Sequence, residues 1–189
     1  MIYFETERLK FRDWQESDLV HFQAMNKDFD VRRYFPDVMS SARSEIAFYL
    51  MQQEIVQHEL GLFAVELKST GKFIGFIGMQ YLIPTKHFDL SFMPCYEIGW
   101  RLKKMYWNQG YATEGAHAVL NYAKEKGIKE VYSYTSLMNR PSRRIMDKLG
   151  MTYVKSFNHP FIRDYHPLRE QVLFYKDLTI EEHNYDINQ

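Results

Sequence analysis

The residues Asn108-Gln109-Gly110-Tyr111-Ala112 join the end of an alternating apolar segment to the start of a helical one. A turn of this kind aims several backbone N–H groups outward at a helix N-terminus. The macrodipole there supplies roughly half a positive charge, so the turn can hold a pyrophosphate without a large basic patch. Gly110 has no Cβ to obstruct an anion, and Ala112 is the next-smallest residue. The plainer alternative is an ordinary strand-to-helix connection with a glycine turn, and Gly-x-Ala alone does not separate the two. Just upstream, Tyr96, Ile98, Trp100 and Leu102 alternate with Glu97, Gly99 and Arg101. This period of two puts Glu97 on the face opposite Tyr96 and Ile98. A plain role for Glu97 is an outward-facing strand carboxylate paired with a cation. Glu114, in the first turn of the helix, reads as a partner of the helix dipole.

Other chemistries lack their residues. Gly71-Lys72 has no spaced upstream glycine, so there is no phosphate-binding P-loop. Neither GxSxG nor HExxH occurs. Cys95 is the only cysteine, which excludes an internal disulfide and a zinc–thiolate centre. His159 and His166 flank Asp164 without the spacing of a known metal scaffold, so no metal is assigned. Gly75 and Gly78 lie inside an apolar run that does not lead into a helix; they are expected to allow close packing or a bulge.

The elements that must position these residues follow from the hydrophobic periods. Leu9 and Phe11 alternate with Arg8, Lys10 and Arg12 as an opening strand. Leu19, Phe22 and Met25 mark a short helix, and Ala47, Leu50, Met51 and Ile55 a second one after Ser40 and Ser41. Residues 63–67 and 73–81 form a hairpin around Ser69-Thr70-Gly71-Lys72, and 84–94 a longer loop. The Glu97 strand follows. The clearest helix carries Ala112, Ala116, Val119, Leu120 and Ala123 on one face and stops at Gly127. Then come a strand over 128–137, a helix over 141–149, a strand over 151–157 and a last strand with Val172 and Phe174. The expected fold is one α+β domain with a mixed, mostly antiparallel sheet and flanking helices. Residues 1–178 make up the domain and 179–189 a polar tail.

Composition narrows the class. A chain of 189 residues matches one domain, and 46% hydrophobic residues suffice for one core. Twenty-four basic and 24 acidic residues leave no net field for a nucleic-acid backbone. No apolar run reaches the roughly 20 residues of a membrane span, and no secretory leader opens the chain. A soluble, cytoplasmic protein is expected.

Four segments in order, TERLKFRDWQESDL (6–19), YEIGW (96–100), WNQGYATE (107–114) and NRPSRRIMDKLGM (139–151), resemble the GNAT superfamily of N-acetyltransferases. The resemblance spans residues 5–178 and is closest to the Rim-type, ribosomal-protein-alanine acetyltransferase branch; HPLREQVLFYK (166–176) also looks like an ending found there. It implies a GNAT-like single domain whose sheet splays beside the Glu97 strand, with acetyl-CoA as co-substrate entering the splay. By the family pattern, main-chain groups of Trp100, Arg101 and Leu102 pair with the pantetheine arm. Asn108, Gln109, Gly110, Tyr111, Ala112 and Thr113 hold the pyrophosphate, and Asn139 and Ser142 contact the cofactor. Trp107 and Asn108 depart from the commoner Gln/Arg-Gly opening of that loop. Met146 stands where the superfamily often has a tyrosine that protonates the departing thiolate.

Acetyl transfer to an amine needs a neutral nucleophile, a stabilised oxyanion and a leaving thiolate. A lysine-like amine, with a pKa of about 10.4, needs a base more than an α-amine near 7.7 to 8.0. Glu97 is the candidate base, and a strand N–H near Ile98 or Gly99 is available to the oxyanion. Tyr175, Tyr134 and Ser142 are candidates for the acid, with Tyr175 the assigned one. Direct transfer is expected rather than an acetyl-Cys95 intermediate, because no histidine lies near Cys95 in sequence. The acceptor is a primary amine, on a small molecule or a protein N-terminus, and the enzyme a monomer or homodimer. The alternative function is a non-catalytic acyl-CoA-binding or sensory domain, suggested by Met146; a plain interaction domain is the third. The aromatic residues of 81–96 and 157–166 are candidates for the walls of an acceptor pocket or for a cap on the core.

Overall fold

A computed structural model describes residues 1–180; the polar segment 181–189 lies outside the described residues. Eight strands and four helices follow one another as β1 (Ile2–Glu5), β2 (Leu9–Arg12), α1 (Glu16–Lys27), α2 (Ser41–His58), β3 (Leu62–Leu67), β4 (Lys72–Leu82), β5 (Cys95–Leu102), α3 (Tyr111–Glu125), β6 (Glu130–Ser136), α4 (Arg140–Lys148), β7 (Thr152–Asn158) and β8 (Glu170–Asp177). They form one open sheet in the order β1-β2-β3-β4-β5-β6-β8-β7. Every neighbouring pair is antiparallel except β5 and β6. The mixed, mostly antiparallel α+β fold is thus the observed one.

Alternation along the strands builds two aromatic layers. On one face Trp14, Phe22, Phe48 and Phe76 pack under α1 and α2, with Trp14 centred 5.2 Å from Phe22 and 5.3 Å from Phe48. On the other, Phe4 and Phe63 meet Tyr122 of α3, with Phe4 stacked 4.4 Å from Phe11 and 4.7 Å from Tyr122. Burial of this much aromatic surface on both sides makes the sheet the rigid floor on which the functional groups stand. Gly75 and Gly78 act as expected. A Cβ on Gly75 would come 2.2 Å from the Arg101 carbonyl, one on Gly78 1.9 Å from the Gly61 carbonyl, and β3 shifts register beside Gly75.

The structure corrects two expectations. The fold opens one strand earlier than predicted, at β1, a four-residue edge strand too short to show alternation. The buried stripe of α2 is Ser44, Phe48, Met51 and Ile55, with Leu50 61% exposed. Phe48 at i+4 from Ser44 turns the helix so that Leu50 faces solvent. Ser40 caps this helix, its Oγ accepting from the Arg43 amide at 3.2 Å. Ser40→Ala is expected to cost about 1 kcal/mol, read from the midpoint of urea unfolding.

Candidate active site

β5 and β6 touch in register at a single pair, Glu97 with Tyr132. Beyond it both strands continue apart, so the parallel ladder ends and a wedge opens beside residues 98–102. The Ile98 carbonyl points into this gap and accepts from the Ser133 hydroxyl at 2.9 Å. Backbone groups alternate sides along a strand, so the N–H and C=O of Trp100 and the N–H of Leu102 face the same gap, whereas Gly99 and Arg101 face β4. The Leu102 carbonyl is taken by the Trp107 indole N–H at 2.9 Å. An extended ligand laid along β5 therefore meets free donors and an acceptor at alternate residues.

The wedge leads to the loop before α3. Gly110 is the N-cap with φ +81°, and Asn108 has φ +58°. The first helical bond runs from the Glu114 amide to the Gly110 carbonyl at 2.9 Å, which leaves the amides of Tyr111, Ala112 and Thr113 without helical acceptors. Gln109 steadies the loop by donating from Nε2 to the Met105 carbonyl at 2.9 Å.

Arg8, which the sequence offered only as part of an alternating strand, braces this loop from below. Its Nε donates to Glu114 Oε2 at 2.6 Å, its Nη1 to the Gln109 carbonyl at 2.9 Å, and its guanidinium lies 4.4 Å from the Tyr111 ring centre. Glu114 also accepts from the Thr6 hydroxyl at 2.6 Å and the Arg8 amide at 3.1 Å. Burial pushes the Glu114 carboxyl up, but these hydrogen bonds outweigh it and hold the group below the ordinary glutamate value. Glu114 is thus more than a dipole partner: it ties the turn between β1 and β2 to the first turn of α3. Arg8→Ala is expected to weaken acetyl-CoA binding about tenfold by loosening the loop, measured by calorimetry.

At the closed end of the wedge, Glu97 is half-buried and no hydrogen bond or ion pair among the described residues ends on its carboxylate. Burial alone pushes it up to about 8. The sequence's alternative, a strand carboxylate neutralised by a nearby cation, is therefore not what the fold provides. Tyr134 stands on the same face. Burial and then the charge of Glu97 raise its pKa, so the phenol keeps its proton. Around them the loop before β5 and the segment after β7 set an aromatic wall. Phe92 lies 6.0 Å from Tyr134 and 5.5 Å from Phe157, and His159 6.3 Å from Tyr134.

The remaining sequence candidates separate. Tyr175 aligns with Tyr132, but its hydroxyl donates to Glu130 at 3.5 Å, at the end of β6 away from the wedge. Asn139 caps α4: its Oδ1 accepts from the Ser142 amide at 3.3 Å, and its Nδ2 donates to Thr135 and Ser142 hydroxyls at 2.8 and 3.0 Å. These two residues flank the far strand of the wedge. Met146 is 1% exposed and belongs to the core. The Cys95 thiol is buried and pushed up to about 12 by that burial and by Glu97, which makes it a poor nucleophile. His159 and His166 each accept a backbone N–H at Nδ1, and Asp164 pairs with Arg169. No group of three metal-ligating side chains occurs among the described residues.

A family model described as an acetyltransferase (GNAT) domain matches residues 8–152. The chain belongs to the GNAT acetyltransferase family. Among known proteins it is 28% identical over 151 residues to an uncharacterised N-acetyltransferase, YnaD, of Bacillus subtilis, covering 79% of this chain and 82% of that one. A GNAT-family acetyltransferase from Bacillus anthracis superposes with a TM-score of 0.76 at 24% identity, covering 95% and 100% of the two chains. RimL, a ribosomal L7/L12 α-N-protein acetyltransferase solved with coenzyme A, superposes with a TM-score of 0.73 at 12% identity, covering 94% and 98%. This GNAT enzyme is an acetyl-CoA-dependent N-acetyltransferase. The wedge, the free amides at the α3 N-terminus and the exposed glycine at its N-cap fit the pantetheine and pyrophosphate of that co-substrate. Among the described residues no helix is long and apolar enough to cross a membrane.

Proposed function

We propose that the enzyme transfers the acetyl group of acetyl-CoA directly to a primary amine, with Glu97 as the general base. The observation that carries this reading is an unpaired, desolvated carboxylate at the point where β5 and β6 part. Acetyl-CoA supplies an acyl group already activated as a thioester. On the protein side, main-chain groups of Trp100 and Leu102 bind the arm along the open edge of β5. The amides of Tyr111, Ala112 and Thr113, with Gln109 and Gly110 in the turn, hold the pyrophosphate. Glu97 takes the proton from the incoming ammonium. A base whose pKa is about 8 is well matched to an α-amine near 7.7 to 8.0, since proton transfer is then nearly thermoneutral.

For the proton returned to the thiolate, Tyr134 is favoured over Tyr175, because it shares the face of Glu97 and keeps its proton, while the Tyr175 hydroxyl is engaged by Glu130. Direct transfer is supported over a covalent route by the inert Cys95 thiol. Placement in the Rim-type branch rests on the four ordered motifs, and the acceptor is a small amine or a protein N-terminus. The single thiol of the chain supports a cytoplasmic location.

Calorimetric titration of the protein with acetyl-CoA, CoA and a nucleotide lacking the pantetheine arm tests the reading. One-to-one binding that needs the arm, followed by amine-dependent release of CoA, is the expected result. Binding without turnover on any amine would instead point to an acyl-CoA-binding domain, and no binding to folded protein would overturn the site.

A further inference from the structure

We propose that the acceptor amine also carries a carboxylate, and that the Arg101 side chain binds it. The inference rests on the reading that the amine is acetylated beside Glu97. Glu97, Gly99 and Arg101 share one face of β5, and Gly99 leaves the floor between the two charged residues bare. The nearest atoms to a Cβ built there are the Glu97 carboxylate oxygens, at 3.8 Å. Arg101 stands roughly 6–7 Å beyond Gly99 along the strand.

Its guanidinium is built into a box. It lies 4.4 Å from the Phe35 ring centre and 5.1 Å from Phe76, and its Nη1 donates to Asn26 Oδ1 at 2.9 Å. The Nε is buried without a partner, and no carboxylate among the described residues pairs with the group. A second guanidinium, Arg32, only 7% exposed, lies over the same Phe35 ring at 4.1 Å. Its carboxylate, Asp37, stands 3.7 Å away and is held closer by Arg43, at 2.7 Å. Arg32 thus shares its one carboxylate with Arg43, and Arg101 has none among the described residues. Burial and the nearby Arg32 push Arg101 down to about 9.

Buried charges in proteins are otherwise paired, so the counter-ion missing here is one that a ligand brings. A planar fork with a free N–H suits a carboxylate best. The site is not sealed: Arg101 is half-buried and Phe35 is 41% exposed. An amine at Glu97 and a carboxylate at Arg101 describe an amino acid or short peptide. Polyamines and aminoglycosides bring only positive charge, and the same two guanidinium groups repel them.

The test is kcat/KM on matched acceptors with and without the carboxylate: phenylalanine against phenethylamine, and glycylglycine against its amide. The wild-type enzyme is expected to prefer the carboxylate member roughly 10- to 100-fold, through KM. In Arg101→Gln the preference falls towards one, and Arg101→Lys restores part of it. A merely structural role would depress both members of a pair alike. Equal kcat/KM within each wild-type pair overturns the proposal while leaving the acetyltransferase reading intact. If none of these amines is acetylated, sulfate replaces them as the probe. A rise in the thermal midpoint with sulfate over chloride at matched ionic strength, present in wild type and lost in Arg101→Gln, supports the site; an equal rise in both overturns it. Failure to bind acetyl-CoA would strike the parent reading instead.

Discussion

Glu97→Gln is expected to lower kcat/KM about 10²- to 10⁴-fold at pH 7 while acetyl-CoA binding persists, because the variant keeps the shape of the side chain and loses only its basicity. The pH profile carries the diagnosis. With a pKa of about 8, roughly a tenth of Glu97 is ionised at pH 7, so the wild-type rate rises steeply up to that pKa and then follows the amine alone. In the variant the step near 8 disappears and activity recovers only as the amine deprotonates. A variant whose profile matches wild type would remove Glu97 as the base. Stability moves the other way. The folded pKa lies above the unfolded value of about 4.3, so the folded state binds more protons between the two, and stability is lost as pH rises through that window. Removing the charge is therefore expected to stabilise the protein at pH 8.5, by at most about 5 kcal/mol, and to change little at pH 4. Thermal melts of both proteins at the two pH values check the sign.

The stretch from Tyr96 to Ala123 was legible because two periods meet there: the alternation of β5 gives the face of Glu97, and the helical spacing of α3 gives the turn that precedes it. Both are local patterns of burial, which a sequence displays directly. β1 escaped notice because four residues, two of them exposed, carry no pattern. The helix face of α2 was turned by one large residue, Phe48, that outweighed the smaller Ala47 and Leu50 in choosing what to bury. What local pattern cannot convey is pairing across the chain. Arg8 meets Glu114 across 106 residues, and Arg101 meets Asn26 across 75. Each of these residues reads as an ordinary surface or cap group until the fold brings α3 to the turn before β2 and α1 to β5. The charge state of Glu97 is likewise a property of the assembled wedge. Its neighbours in sequence are Tyr96 and Ile98, whereas what desolvates it comes from β6 and the loops that cover that face.

Gly110→Leu is expected to reduce acetyl-CoA affinity at least a hundredfold, about 2.7 kcal/mol, with the fold intact. Three effects converge at this position. The residue sits at φ +81°, which costs an L side chain about 1–2 kcal/mol. A Cβ there comes 3.3 Å from Arg8 Nη2, the mobile end of a side chain that can yield, but yielding breaks its hold on the Gln109 carbonyl. The isobutyl group beyond that Cβ pushes the guanidinium further, and with it the turn whose amides of Tyr111, Ala112 and Thr113 face the pyrophosphate. Gly110 is exposed and packs against none of the core, so the cost to folding is confined to the backbone strain. Gly110→Ala separates the contributions: it carries the same strain but turns only a methyl group toward Arg8, so it should come close to the leucine variant in thermal midpoint and bind acetyl-CoA far more tightly. Calorimetry and circular dichroism melts on the two variants distinguish these effects. Unchanged affinity in folded Gly110→Leu would move the pyrophosphate away from the α3 N-terminus, and equal losses in both would make backbone strain, rather than the Arg8 brace, the reason for glycine at this turn.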